Sequence, residues 1–184
     1  RPGDRVIVFL PMSITLYQTM AAVQMIGASV VFLDSWARKG QLGISAKISG
    51  ASAMISFEAA FNYCAEEPEI AKIPIKIVVG SHKGKYTAEL EKLQQNLSKE
   101  SCYAVEGEDT ALITFTTGSS GIPKGANRTH QFLASQHYAL DRVIPYLDND
   151  KDLPAFPIFS LNNLAAGVTT VIPIIDIGRP TEKD

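Results

Sequence analysis

The residues best suited to chemistry are concentrated in one short segment, TFTTGSSGIPKGANRTH, which runs from Thr114 to His130. Backbone N–H groups that point into a concavity bind anions, and glycines let that backbone approach a ligand without a Cβ clash. Hydroxyls add further hydrogen-bond donors, and a lysine adds a compact positive charge. The segment supplies all three kinds of group: Thr116, Thr117, Ser119 and Ser120; Gly118, Gly121 and Gly125; and Lys124. It therefore predicts a cradle for a polyanion such as a nucleotide triphosphate.

The order of residues around the lysine excludes two common phosphate-binding loops. A Walker A loop places its lysine directly after a glycine and directly before a hydroxyl. Here Pro123 precedes Lys124 and Gly125 follows it, and no G-x-G-x-x-G dinucleotide motif is present. One lysine cannot neutralise a triphosphate, so we expect Mg²⁺ to share that charge. A polar surface loop without a ligand is the simpler alternative.

Alternation of apolar runs with amphipathic stretches indicates the elements that must hold this segment. Predicted strands are Arg5–Leu10, Ser29–Asp34, Ser52–Ser56, Ile75–Val79, Ala111–Phe115 and Gly167–Pro173. The first predicted helix is capped by Ser13 and ended by Gly27, with Leu16, Met20, Val23 and Ile26 on one face, and the second surrounds Ile44 and Ile48. The third spans Tyr86–Leu97, with Leu90, Leu93 and Leu97 directed inward. The fourth spans Thr129–Ile144, with Leu133, Leu140 and Ile144 on one side. Such alternation predicts an α/β fold, with a mostly parallel sheet and flanking helices.

Composition narrows the function classes. The 184 residues carry a net charge of −2, which argues against a nucleic-acid-binding surface. No run reaches the ~20 apolar residues of a membrane span, because prolines and asparagines interrupt the longest candidate, Leu153–Ile175. Cys64 and Cys102 have no metal-ligand spacing, and we expect plain thiols in a reducing, cytoplasmic compartment without a protein-held metal site.

The stretch FTTGSSGIPKG resembles the phosphate-binding signature of the adenylate-forming superfamily, which includes acyl-CoA synthetases and peptide-synthetase adenylation domains. That signature is an aromatic residue, two hydroxyls, Gly, two hydroxyls, Gly, any residue and Pro-Lys-Gly, and every position matches. GDRVIVFLPMS (Gly3–Ser13) and MIGASVVFLD (Met25–Asp34) are also similar to the early core of these enzymes. The likeness extends from Gly3 to about Pro180.

The resemblance implies ATP- and Mg²⁺-dependent activation of a carboxylic acid to an acyl-adenylate, with release of pyrophosphate. It implies that ATP phosphates are bound by Thr116, Thr117, Gly118, Ser119, Ser120 and Gly121, and that Lys124 binds phosphate and acts in catalysis. The expected partners are a small-molecule carboxylate, ATP and, as one acceptor, coenzyme A. His130, at the start of a predicted helix, has either a role beside the loop or a packing role.

A second landmark of the superfamily is an aromatic-rich loop beside the carboxylate pocket, and FPIFSLNNLAAG (Phe156–Gly167) lies at its place. Ser160 replaces the usual histidine and Asn163 a frequent glycine. The resemblance implies substrate contacts from Phe159, Ser160 and Asn163, whereas Phe156, Phe159 and Leu161 line an acyl tunnel or belong to the core. The spacing from Pro157 to Pro173, followed by DIGRP, resembles the olefin-pathway β-lactone synthetases, with fatty-acyl-CoA ligases as the alternative.

The superfamily's later motifs and its N-terminal segment have no counterpart in these 184 residues. We therefore expect residues 1–184 to be part of a large N-terminal AMP-binding domain, with both flanks of that domain and the C-terminal domain outside the sequence. We expect this piece alone to be inactive. The alternative is a non-catalytic nucleotide-binding or scaffolding module with the same fold.

Overall fold

The computed structural model describes residues 1–33, 39–95, 102–116 and 122–173. The chain divides into two compact units, Arg1–Thr129 and His130–Asp184. The predicted positions Asp34, Leu97, Thr117–Gly121 and Asp176–Pro180 lie outside the described residues.

The first unit is built on a seven-stranded sheet with the order β5-β4-β3-β1-β2-β6-β7. Its strands are β1 (Arg5–Phe9), β2 (Ser29–Phe32), β3 (Ala53–Phe57), β4 (Ile75–Val79), β5 (Ala88–Glu89), β6 (Thr110–Thr116) and β7 (Lys124–Thr129). Neighbouring strands run parallel except for β6 and β7, which form an antiparallel pair. The predicted α/β class and the mostly parallel sheet are confirmed.

Helices connect the strands of this sheet. They are α1 (Ile14–Met25), α2 (Lys39–Ser49), α3 (Glu58–Tyr63), α4 (Pro68–Ala71) and α5 (Leu90–Gln95). The Ser13 side chain caps α1 by accepting a hydrogen bond from the Leu16 N–H at 3.1 Å, as predicted. Gly27, with φ of +74°, follows α1 in the left-handed conformation that glycine adopts without strain.

The central strands β1, β2 and β3 are buried on both faces, which explains why they are nearly continuous apolar runs. Ile7, Val31, Met54 and Val78 belong to a cluster completed by Leu42 and Ala46 of α2 and by Phe61 and Ile70 of the following helices. On α1, Leu16, Met20 and Val23 are buried. This core holds the carboxyl ends of the parallel strands at one edge of the sheet.

Several helix predictions for the first unit were wrong in detail. Ile26 does not share the buried face of α1, because it lies at the helix end and is exposed. The predicted helix Tyr86–Leu97 begins only at Leu90, because Ala88 and Glu89 instead pair with β4. Leu93 is exposed rather than inward.

The second unit contains α6 (His130–Val143), a short 3₁₀ turn (Pro157–Phe159), α7 (Ser160–Ala166) and a two-stranded parallel pair, β8 (Lys151–Asp152) and β9 (Thr169–Thr170). The predicted helix Thr129–Ile144 is confirmed with small shifts, although Ile144 is exposed. The predicted strand Gly167–Pro173 shortens to β9. This unit is where the aromatic-rich loop of the sequence lies.

Candidate active site

The phosphate-loop segment forms the connection of an antiparallel hairpin. Thr116 ends β6, Lys124 begins β7, and the two residues are paired across the hairpin. Thr117, Gly118, Ser119, Ser120 and Gly121 lie outside the described residues, so their predicted phosphate contacts stay predictions. The structure therefore brings the two ends of the predicted cradle together, with one hydroxyl and one cation at its base.

The hairpin places this connection at a specific edge of the sheet. Strand β6 runs parallel to β2, with Phe32 beside Thr114, and its carboxyl end leads directly into the loop. In open α/β sheets, ligands bind in crevices outside the carboxyl ends of the parallel strands. The loop therefore begins where such a fold binds its ligand.

The base of the loop combines a buried anchor with exposed polar groups. Pro123 is buried, whereas Thr116 and Lys124 on either side of the connection are exposed. Because Lys124 is backbone-paired within β7, its position is fixed by the sheet while its side chain stays open to solvent. A phosphate oxygen could accept hydrogen bonds from both the Thr116 hydroxyl and the Lys124 ammonium group.

Gly125 has a packing role that the sequence did not reveal. It is paired with Phe115, and a Cβ added at Gly125 would lie 3.3 Å from Phe115 Cε1 and 3.7 Å from Ile113 Cγ2. Phe115 and Ile113 pack in turn against the main hydrophobic cluster. The glycine after the lysine thus leaves room for the Phe115 ring beside it.

Arg128 is a second cation on this hairpin that sequence reasoning missed. It lies four residues along β7 from Lys124. Because side chains alternate along a strand, the two residues share a face. Arg128 Nε donates a hydrogen bond to Thr114 Oγ1 at 3.3 Å. Its spacing of four residues from Lys124 would have placed both cations on one face of a strand, but no strand was predicted here.

An apolar pocket of about 250 Å³ lies elsewhere on the same sheet edge. Its walls follow the carboxyl ends of β1 and β3 and consist of Phe9, Leu10, Pro11, Phe57, Ala59, Ala60 and Tyr63. The connections of these two adjacent strands leave in opposite directions, toward β2 and toward β4. The pocket therefore lies at a topological switch point, a second position of the kind where α/β proteins bind ligands.

In the second unit, the aromatic-rich loop presents two phenylalanines. Phe156 and Phe159 lie at the start and end of the 3₁₀ turn, are 49% and 50% exposed, and contact edge to face with ring centroids 6.1 Å apart. Ser160 is buried at the start of α7. Of the predicted substrate contacts, Phe159 alone presents a largely exposed side chain.

Asn163 is fully buried and its amide is hydrogen-bonded on both sides. Asn163 Nδ2 donates to Asp152 Oδ2 at 2.8 Å and to Thr170 Oγ1 at 2.9 Å, and its Oδ1 accepts from the Tyr146 hydroxyl. Sequence reasoning missed Tyr146, Asp152 and Thr170, because their spacing does not indicate that they share a hydrogen-bond partner. The predicted contact between Asn163 and a substrate stays a prediction.

The two remaining predicted features concern His130 and a metal. His130 is half-buried at the first position of α6, which leaves both proposed roles open. Within the four described ranges, no cluster of three or more His, Cys, Asp or Glu side chains could hold a metal ion. Over the same residues, no helix has both the length and the apolar character needed to cross a membrane.

A parallel sheet with a glycine- and hydroxyl-rich loop at its carboxyl edge is typical of an α/β protein that binds a phosphate-bearing ligand. Comparison with family models identifies the family within this class. The model of the AMP-binding enzyme family matches residues 1–174, and the chain belongs to this family. The resemblance stated from FTTGSSGIPKG is thereby confirmed.

Individual relatives agree with this family. An olefin β-lactone synthetase from Stenotrophomonas maltophilia is 42% identical over 81 residues, which cover 44% of this chain and 15% of that protein. A long-chain-fatty-acid–CoA ligase from Archaeoglobus fulgidus shares the fold with a TM-score of 0.79 at 23% identity, over 92% of this chain and 35% of that one. An o-succinylbenzoate coenzyme A synthetase from Bacillus subtilis, solved with ATP and a magnesium ion, gives a TM-score of 0.71 at 17% identity. The match covers 94% of this chain and 45% of that one. The chain thus spans less than half the length of each relative.

Proposed function

We propose that this chain is the ATP-phosphate-binding part of a larger enzyme that activates a carboxylic acid as its acyl-adenylate. The observation that carries the proposal is the hairpin that pairs Thr116 with Lys124 at the carboxyl edge of the parallel sheet. The membership of the chain in the AMP-binding enzyme family supports the same reaction class. Residues 1–184 are proposed to be part of the large N-terminal domain of that enzyme.

The proposed reaction is an in-line displacement at the α-phosphorus of ATP. A carboxylate oxygen forms the new bond to phosphorus, the bond from the α-phosphorus to its bridging oxygen breaks, and pyrophosphate leaves with the electron pair. Thr116, Thr117, Gly118, Ser119, Ser120 and Gly121 are proposed to hold the β- and γ-phosphates. Fixed donors of this kind stabilise the charge that develops on the leaving group without reorganising.

Lys124 is the proposed catalytic residue of this chain. Its backbone is held by pairing to Thr116 at the base of the loop, which places its ammonium group within reach of the phosphates that the loop is proposed to hold. Charge-assisted hydrogen bonds from such a group are shorter and stronger than neutral ones. Magnesium is proposed to arrive with ATP, and the described residues of this chain contribute no cluster of ligands to it.

The proposed acid is a fatty acid or a β-hydroxy fatty acid. The exposed rings of Phe156 and Phe159 offer apolar surface for an acyl chain, and Ser160 and Asn163 follow them directly on α7. The relatives from Stenotrophomonas and Archaeoglobus are a β-lactone synthetase and a long-chain-fatty-acid–CoA ligase, which supports an acyl substrate. They also leave two fates for the adenylate: transfer to coenzyme A, or closure to a β-lactone.

The proposed location is the cytoplasm. Both cysteines are free, Cys64 buried and Cys102 exposed, which fits a compartment that keeps thiols reduced.

Trapping of the intermediate tests this proposal in the full protein that contains the chain. The protein is incubated with ATP, Mg²⁺, hydroxylamine and either a plain or a β-hydroxy fatty acid, and the acyl hydroxamate is measured by mass spectrometry. We expect hydroxamate that depends on both ATP and the acid, and a thioester or a β-lactone when hydroxylamine is replaced by coenzyme A or omitted. ATP binding without hydroxamate from any acid would contradict the proposal and favour the non-catalytic module.

A further inference from the structure

The buried amide of Asn163 holds three separate segments of the second unit against α7. Tyr146 lies in the loop after α6, Asp152 lies in β8, and Thr170 lies in β9. All three side chains bind the one side-chain amide, and the main-chain carbonyl of Asn163 accepts a hydrogen bond from the Val168 N–H at 2.9 Å. The Asn163 side chain therefore bonds α7 to both strands of the β8–β9 pair.

This anchor lies close to the two exposed phenylalanines. Helix α7 has seven residues, fewer than two full turns, and Asn163 lies near its middle. Phe159 immediately precedes the helix, one turn before Asn163, and Phe156 contacts Phe159 ring to ring. Rotation of so short a helix about its axis would carry both rings with it, and the bonds of Asn163 oppose that rotation.

We propose that Asn163 is a positioning residue for the acyl substrate: it fixes α7 to the β8–β9 pair and thereby sets the direction of the Phe156–Phe159 surface. This inference rests on the proposed function, because it assigns that surface to the acid. In this role Asn163 acts through α7 rather than through a substrate contact of its own.

An amide suits this position because it donates and accepts at once. Both hydrogens of Nδ2 are used, by Asp152 and by Thr170, while Oδ1 takes the hydrogen of Tyr146. A carboxylate at position 163 would keep the bond from Tyr146 but would face the carboxylate of Asp152 without a proton between them. Two carboxylates at that distance repel each other strongly.

An exchange of the side chains at positions 163 and 152 tests this proposal. In the double variant Asn163→Asp with Asp152→Asn, the donor and the acceptor change places. The new amide donates to the new carboxylate, the Thr170 hydroxyl turns to donate, and Tyr146 keeps its acceptor. The matched control is Asn62→Asp, at an exposed position in α3.

The readout is acid-dependent ATP–pyrophosphate exchange by the full protein, with separate KM values for acid and ATP. We expect Asn163→Asp to raise the KM for the acid about tenfold to a hundredfold, which is the full loss of the hydrogen bond from Asn163 to the charged Asp152 passed on to the acyl surface. The KM for ATP stays within about twofold of the unmodified value. Asp152→Asn alone has a small effect, and the double variant recovers most of the loss. Tyr146→Phe, which removes one hydrogen bond and keeps the ring, should raise the KM for the acid less. It serves as the test variant where Asn163→Asp does not fold.

Three results would overturn the inference. If the KM values for ATP and acid and the amount of folded protein change together, Asn163 is a structural residue without a positioning role. If Asn163→Asp and Tyr146→Phe both behave like Asn62→Asp, the network does not set the acyl surface. If the unmodified protein shows no acid-dependent exchange, the proposed function itself fails and the inference fails with it.

Discussion

Replacement of Gly125 by alanine tests how the phosphate-loop hairpin is packed. The new methyl group would lie 3.3 Å from Phe115 Cε1, 3.5 Å from Phe115 Cζ and 3.7 Å from Ile113 Cγ2. The nearest contact is tighter than ordinary van der Waals separation, so the Phe115 ring must move by a few tenths of an ångström. Phe115 packs against the main hydrophobic cluster, and its displacement loosens that contact.

The expected magnitude follows from two opposing effects. Overpacking by one methyl group costs about 1–3 kcal/mol, and the lower end applies because Phe115 is only half-buried. Alanine instead of glycine recovers about 0.5–1 kcal/mol by restricting the unfolded chain. We therefore expect a net loss of about 0.5 kcal/mol for Gly125→Ala.

The matched control is Gly40→Ala, because Gly40 lies in α2 and a Cβ there would meet nothing within 4 Å. It should raise the unfolding free energy by about 0.5 kcal/mol, so the two variants should differ by about 1 kcal/mol. Urea-induced unfolding followed by circular dichroism measures both. Equal changes in the two variants would refute the crowding of Gly125 against Phe115.

Two further predictions concern titratable groups of the first unit. The backbone N–H groups of Gly84 and Lys83 bind Glu58 and lower its pKa, so this carboxylate stabilises the fold above its ordinary pKa and loses that contribution as the pH falls through the lowered value. The stability difference between the unmodified protein and Glu58→Gln should therefore shrink in acid, and a difference independent of pH would contradict this. Burial raises the pKa of the Cys64 thiol to about 11, so a thiol reagent at mildly alkaline pH should label exposed Cys102 and spare Cys64 until the protein unfolds. Equal labelling rates in the native protein would contradict the buried position of Cys64.

The central strands could be predicted from sequence because their burial requires continuous runs of apolar residues. After their first residues, Arg5–Phe9 and Ser29–Phe32 are runs of β-branched and aromatic residues, which suit a strand covered on both faces. The Ser13 cap and the glycine after α1 marked that helix equally well. These local signals suffice for the fold class and for the strand that leads into the loop.

The parts that were missed depend on partners distant in sequence or on pairing rather than on composition. Strand β7, KGANRT, carries no apolar alternation and exists because its backbone pairs with β6. The apolar spacing of Leu90 and Leu93 imitated a buried helix face, although no residue of α5 is buried. The amide network of Asn163 joins residues up to 17 positions away and leaves no pattern in the sequence.

Acid-dependent exchange of pyrophosphate into ATP tests the central claim most directly. The full protein containing this chain is assayed with a panel of short, long and β-hydroxy fatty acids, beside Lys124→Ala and Ser119→Ala and the control Lys85→Ala, an exposed lysine remote from the loop in sequence. We expect exchange that requires one of the acids, falls in the two loop variants by about tenfold or more through loss of a hydrogen bond to phosphate, and is unchanged in Lys85→Ala. Exchange that persists in Lys124→Ala, or that is absent with every acid in a folded protein, would contradict the assignment of this hairpin to the phosphates of ATP in fatty-acid adenylation.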